Sequence, residues 1–264
     1  MKLMNLKYKL IQYVLMLSAT AAVAQSGITT NQYSLSPNAA IPDGSPVGLI
    51  EHFSATGLTG SITNVTVQLD ITGGFNGDLY AYLVNPQGQL SVLLNRVGVT
   101  GSSAFGYSDA GLNITLDGLA TSNIHSYASG GPGSYSLSGT TWAADGRNID
   151  PQSVSSVFDT ASTAANLSLF QNTAPNGEWT FFIADLSGGG GTATLNSLVL
   201  SIMTVPEPQT WFLLSGGVSV LWLVRNRRDN RASFKIEQTR YAVGQWAAFS
   251  ERPKRVNRFG DSSE

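Results

Sequence analysis

The 264-residue chain has no cysteine. That absence removes a disulfide framework, a thiolate metal site and a cysteine nucleophile together. Charged residues make up only 12% of the chain, and histidine occurs twice, as His52 and His125. Neither histidine sits in a recognisable catalytic motif, and no stretch before the first strands is long enough to carry a catalytic domain, so the chain is expected to be non-enzymatic. Basic residues are scarcest in the middle of the chain. Between Gln25 and Thr204 only Arg96 and Arg147 stand against eleven acidic residues, a net charge of −9. A surface of that sign has no electrostatic footprint for a phosphate backbone, so no nucleic acid partner is expected.

What the chain does have is signal at both ends. Lys2, Lys7 and Lys9 precede an apolar stretch from Leu10 to Val23 that closes on Ala22-Val23-Ala24 ahead of Gln25. A basic start, a short apolar middle and a small-residue cleavage pattern read as a secretory signal peptide over residues 1–24. An uncleaved anchor helix is the other reading of the same stretch, and its shortness counts against that. Near the far end, Gln209 to Val224 is sixteen residues without a charge, about 24 Å as a helix. Pro206 and Pro208 mark its outer boundary, because proline breaks a helix interior. Arg225, Arg227 and Arg228 mark the inner one, and Trp211 and Trp222 stand near its two ends like interface aromatics. One C-terminal transmembrane helix is therefore expected, with a buried core helix as the alternative. Beyond Val224, ten basic residues face five acidic ones, which agrees with basic residues being retained inside.

The order Val205-Pro206-Glu207-Pro208, apolar run, Arg225-Asn226-Arg227-Arg228 resembles the PEP-CTERM sorting signal of Gram-negative bacteria, here over residues 205–228. The resemblance implies an inner-membrane-anchored precursor that is recognised and cut by an exosortase and then reaches the cell surface or extracellular matrix of an exopolysaccharide-producing cell. One departure is plain. Such signals normally end the protein shortly after the arginines, whereas residues 229–264 follow here as a basic, polar tail. This tail reads as a disordered extension or as sequence added by a displaced stop codon.

Between the two ends, 28 glycines and a low charge density suit an all-β exported domain. Asn31 to Gly60 reads as extended chain with short edge strands. Val65, Val67, Leu69 and Ile71 then alternate with polar residues, a period of two that buries one face. Gly73-Gly74 and Asn76-Gly77 read as turns. Strands follow over Asp78–Val84 and Leu90–Leu94, separated by the Asn85-Pro86-Gln87-Gly88 turn, with a weaker one through Leu112, Ile114 and Leu116. Residues 119–165 are poor in hydrophobics and read as a long irregular excursion with short strands around Tyr135 and Trp142. Two clear strands close the domain, one carrying Trp179, Phe181 and Ile183, the other Leu195, Leu198, Leu200 and Ile202. Strands joined by Gly and Pro turns, with no amphipathic helix between them, predict an antiparallel sandwich.

Ile41-Pro42-Asp43, Gly77-Asp78-Leu79, Asn85-Pro86-Gln87-Gly88 and Asn176-Gly177-Glu178-Trp179 running to Asp185 are similar to the P domain, or Homo B domain, that accompanies the catalytic domain of kexin- and furin-like convertases. The similarity spans about residues 31–203 and implies a jelly-roll β-sandwich. It departs at Gly73-Gly74, where many members carry a His-Thr pair, and in the long excursion. Because the P domain is the companion module and not the peptidase, the resemblance also admits a module that assists a separate subtilisin-like peptidase.

Two groups of residues carry candidate sites. Asp70, Asp78 and Asp185 stand at or beside strand ends, where hard oxygen ligands suit calcium, and some P domains bind that ion. The competing role for Asp78 and Asp185 is to cap turns by accepting backbone N–H bonds. Tyr80, Tyr82, Tyr107 and Tyr127 are candidates to stack on sugar rings. Tyr80 and Tyr82 share one strand face, which makes them the ligand-binding candidates for extracellular polysaccharide, against ordinary packing. Association with surface polysaccharide leads, with a calcium-dependent carbohydrate-binding module as a further alternative.

Overall fold

The computed structural model describes residues 27–130 and 135–205, together with Gly217, Val218, Ser219, Leu221, Trp222 and Arg225. The chain divides into two units, Gln25–Pro208 and a second formed by Met1–Ala24 with Gln209–Glu264. In the second unit the six described residues are helical. Among the described residues no helix is long and apolar enough to cross a membrane. The rest of the expected transmembrane helix lies outside the described residues, as do the signal peptide, the tail, and Pro206, Glu207, Pro208, Arg227 and Arg228 of the sorting motif.

The first unit is all-β. In chain order its strands are β1 (Thr29–Leu35), β2 (Ala39–Ile41), β3 (Ser45–Ala55), β4 (Ser61–Phe75), β5 (Leu79–Val84), β6 (Leu90–Asn95), β7 (Ala110–Asp117), β8 (Ser138–Trp142), β9 (Gly177–Asp185) and β10 (Ala193–Val205). One sheet runs β1-β10-β4-β7-β8, with β2 also on β10, and the other runs β3-β9-β5-β6. Every pairing is antiparallel except β7 with β8.

Alternation dictates this arrangement. In β4, Val65, Val67, Leu69 and Ile71 all face inward and are buried. Register carries the same face across the sheet: Leu69 lies opposite Leu198 of β10 and Ile114 of β7, and Ile71 opposite Leu195 and Leu112. The second sheet answers with Leu79, Ala81 and Leu83 of β5 beside Trp179, Phe181 and Ile183 of β9, all buried. Each large apolar side chain removed from water in this way contributes about 1.5–3 kcal/mol, and a one-residue slip of any strand would turn that face outward.

Three sequence expectations change. First, β3 is an eleven-residue strand, not a string of short edge pieces. Its signal is weak because only Phe53 and Ala55 are buried and because Gly48, at φ 59°, interrupts the register. Second, Gly73-Gly74 is not a turn but lies inside β4. A Cβ on Gly73 would sit 2.5 Å from the Thr192 carbonyl oxygen, and one on Gly74 2.7 Å from the Ala193 Cβ, so the glycines let the start of β10 press directly on β4. Third, residues 119–165 are tied down. Asp145 and Gly146 donate N–H bonds to Leu93 and Val92 of β6, and Val92 donates to Ala165, which covers that sheet edge. Of the two short strands expected there, one is β8, which ends on Trp142, whereas Tyr135 lies outside any strand.

Thr29 of β1 pairs with Thr204 of β10, so residues 29 and 204 lie side by side at one end of the sheet. β10 stays paired to its last residue, Val205, which lies opposite Ser61. The first residue of the Val-Pro-Glu-Pro motif is thus also the last residue of the sheet.

Candidate functional site

The β5 start and the β9 end meet at one pole of the second sheet, where Leu79 pairs with Asp185. Asp78 closes a single 3-10 turn over Asn76–Asp78, and its carbonyl accepts the Leu186 N–H at 2.9 Å. Register therefore places the Asp78 and Asp185 side chains at the same pole, and both are buried. One Asp185 oxygen, Oδ1, accepts the Ser187 N–H at 3.4 Å. The other, Oδ2, is buried with no hydrogen-bond partner.

Burial pushes the Asp185 carboxyl up to about 6. The Ser187 N–H bond pulls it down, and the nearby Asp78 and Asp43 push it further up. Asp78 is raised for the same first reason, with Arg96 opposing and Asp43 adding. Desolvated carboxylates that repel one another favour a proton or a cation between them. Asp43, from the turn before β3, is the acid that sequence reasoning missed at this pole, and the Ile41-Pro42-Asp43 motif was the available signal.

Asp70 does not join this group. It lies on β4 in the other sheet, opposite Asn113 of β7, and lines an open groove of about 460 Å³ with Asp109 and Tyr135. The structure thus unites two of the three calcium candidates. Among the described residues no three His, Cys, Asp or Glu side chains converge closely enough to hold a metal ion, so a cation at Asp78 and Asp185 would need main-chain oxygens to complete its shell.

Tyr80 and Tyr82 project from the outer face of the second sheet, where cross-strand pairing adds a ring that spacing alone could not assign. Phe182 of β9 lies opposite Tyr82, with ring centroids 4.8 Å apart and planes 19° from parallel. Tyr80 stands 5.9 Å from Tyr82 and 6.4 Å from Phe182, tilted by about 60° to both. Ile50 of β3 pairs with Phe182 on the other side and is 57% exposed, and Val47 nearby in the chain is 76% exposed. A Cβ on Gly48 would fall 2.8 Å from the Phe182 ring, so glycine there makes room for the aromatic group. The Tyr80 hydroxyl is held above its ordinary range by burial first, then by Tyr82 and Asp150.

The other two tyrosines are structural. Tyr127 is buried, and burial raises its hydroxyl. It and Tyr135 both donate to Asp109, at 2.9 and 2.7 Å. The Tyr107 ring lies over Gly98 and 4.6 Å from Tyr127.

His125 is buried as well. Its Nε2–H donates to the Val99 carbonyl at 2.9 Å and its Nδ1 lies 2.6 Å from Asp145 Oδ2. With both ring nitrogens engaged internally, this imidazole has no nitrogen left for a substrate proton. Asp145 also accepts from Arg147 Nη1 at 3.0 Å. His52 is exposed and lies 3.4 Å from Glu178. Sequence reasoning missed the His125-Asp145-Arg147 cluster, because twenty residues separate the first two and no spacing announces their contact.

No family model and no curated protein matches the chain. Among solved structures, a serine protease of Aeromonas sobria is similar at 13% identity and a TM-score of 0.39, covering 70% of this chain and 28% of that one. The same protease in complex with its chaperone matches at 12% identity and 0.39, covering 72% and 29%. The chain spans less than a third of the length of these structures.

Proposed function

We propose that this chain is an exported, non-enzymatic surface protein whose P-domain-like jelly-roll sandwich associates with extracellular polysaccharide, and whose C-terminal segment anchors it for sorting by an exosortase. The observation that carries the polysaccharide half is the cluster of Tyr80, Tyr82 and Phe182 on one outer sheet face. Aromatic rings beside exposed Ile50 form a surface against which the C–H faces of sugar rings bury apolar area, while the tyrosine hydroxyls supply hydrogen bonds. Tyr82→Ala is expected to weaken co-sedimentation with the cells' own exopolysaccharide about tenfold, or ~1.4 kcal/mol, with an unchanged circular dichroism spectrum. A wild-type protein that does not co-sediment would remove this half of the reading.

The sorting half rests on the Val205-Pro206-Glu207-Pro208, apolar and arginine sequence order. Mass spectrometry should find cell-associated precursor reaching Glu264 and surface or matrix protein ending shortly after Val205. An intact C terminus in both pools would exclude processing.

A calcium-dependent form of the same module is favoured by one observation, the buried and unpartnered Asp185 Oδ2 beside Asp78. There Asp78 and Asp185 would hold the ion, which would supply the positive charge that two desolvated carboxylates lack. The companion-module reading, with a separate subtilisin-like peptidase, rests on the sequence resemblance alone.

A further inference from the structure

The polysaccharide reading leaves open which class of polymer the aromatic face takes, and the charges of the sandwich bear on that choice. Residues 25–205 contain no lysine and only two arginines, and both arginines are consumed internally. Arg96 donates through Nε to the Gly77 carbonyl, through Nη1 to Pro151 and through Nη2 to Ala104. Arg147 donates to Asp145 and to the Phe158 carbonyl. The exposed His52, on the same outer side of β3 as Ile50, is matched by Glu178 at 3.4 Å and lies 3.3 Å from Thr180 Oγ1. Asp150 acts on Tyr80 by charge, raising its hydroxyl. One carboxylate, Asp150, thus acts on the rings, Glu178 stands four residues from Phe182 along the same face of β9, and the sandwich carries a net −9.

We infer that the Tyr80-Tyr82-Phe182 face selects uncharged polysaccharide and excludes polyuronate. This rests on the polysaccharide reading given above. A uronate carboxylate arriving here would be partly desolvated with no cation to meet it, and would be repelled by the field of the whole sandwich. A neutral pyranose meets no such cost. Its apolar face lies on the rings, and its hydroxyls can donate to a carboxylate such as Asp150, which is an acceptor only. Ring centroids 4.8 to 6.4 Å apart give a surface matched to one or two sugar units, so affinity is built by repetition along a polymer.

The test is native affinity electrophoresis of the full chain in detergent, with EDTA present to prevent divalent bridging. Gels contain dextran, glucomannan or galactomannan as neutral probes, and alginate or polygalacturonate as acidic ones. At least one neutral polymer should retard the protein, and neither acidic polymer should. Thr180→Lys, which places a cation next to Phe182 on the same face of β9, should bring at least fivefold stronger retardation by alginate. Retardation of the wild type by alginate as strong as by the neutral polymers would overturn the selection while leaving polysaccharide binding intact. Neutral retardation that survives Tyr80→Ala and Tyr82→Ala together would remove the face as the site. Absence of retardation in every gel, and in the neutral gels repeated with millimolar calcium in place of EDTA, would remove the polysaccharide reading itself.

Discussion

Replacing Asp145 by alanine is expected to destabilise the sandwich by about 3 kcal/mol, the lower end of the range for removing one partner of a buried ion pair, because its partner Arg147 stays partly exposed. Asp145 is fully buried and is the only acid within reach of both His125 and Arg147 among the described ion pairs. Its Oδ2 also accepts the Asn95 N–H at 3.3 Å. Around this carboxylate meet β6, the Ile124–Ser126 turn and the segment that leads into Phe158, whose carbonyl takes Arg147 Nε at 3.1 Å. Removing it leaves the buried His125 ring, the partly buried Arg147 guanidinium and the Asn95 N–H each short of an acceptor, so the cost exceeds that of one lost hydrogen bond. Asparagine keeps the shape and one acceptor and should cost less than alanine. Equilibrium urea unfolding followed by tryptophan fluorescence measures both variants, and hydrogen exchange should quicken first at residues 144–166. A loss below about 1 kcal/mol for Asp145→Ala would mean that the cluster is not what holds the excursion against β6.

In calcium-free buffer the stability of the sandwich should fall as pH rises from about 4 to about 6, and Asp185 should be the residue responsible. Its carboxyl is raised from 3.8 to about 6 in the folded state, so across that window the folded chain binds more protons than the unfolded one. Stability is then highest below the unfolded value and declines as the buried group ionises. A shift of about two pH units corresponds to at most roughly 3 kcal/mol. Asp185→Asn should flatten this slope and raise stability at neutral pH. If a calcium ion takes the place of the proton, saturating calcium should restore about 2–3 kcal/mol at neutral pH and much less at pH 4.5, where the carboxyl is protonated. Thermal melting of the wild type and of Asp185→Asn, in EDTA and in millimolar calcium, reads both effects. Equal calcium stabilisation of the two proteins would place any binding elsewhere, and an unchanged pH slope in Asp185→Asn would assign it to another group.

Much of the sandwich is readable along the chain because a strand that buries one face must alternate. Val65 to Ile71, Leu79 to Leu83, Trp179 to Ile183 and Leu195 to Ile202 could each be assigned to a strand without any partner. Where alternation is diluted, the reading weakens. β3 buries only Phe53 and Ala55 near its end and is bent at Gly48, so its length stayed hidden. Gly73-Gly74 reads as a turn because a glycine that permits close backbone approach within a strand has the same letter as one that turns the chain. The excursion reads as irregular along the chain because its anchors are polar. Asp145 is buried by pairing with Arg147 and the His125 ring, and hydrophobicity does not register that.

The sites divide along the same line. Tyr80 and Tyr82 follow from a period of two within one strand, so the sequence alone determined that they share a face. Only the β5–β9 register brought Phe182 to them, since contacts across a sheet join residues about a hundred positions apart. Asp78 and Asp185 were nominated by their places at strand ends, but Asp70 was separated from them and Asp43 added by the assignment of strands to sheets. The sequence by itself determined the sign and scarcity of charge and the strand faces, because these are local properties of composition and period. The tertiary structure decided which carboxylate lost its water, which arginine was already engaged and which rings stood together, because desolvation and pairing exist only once distant strands are packed.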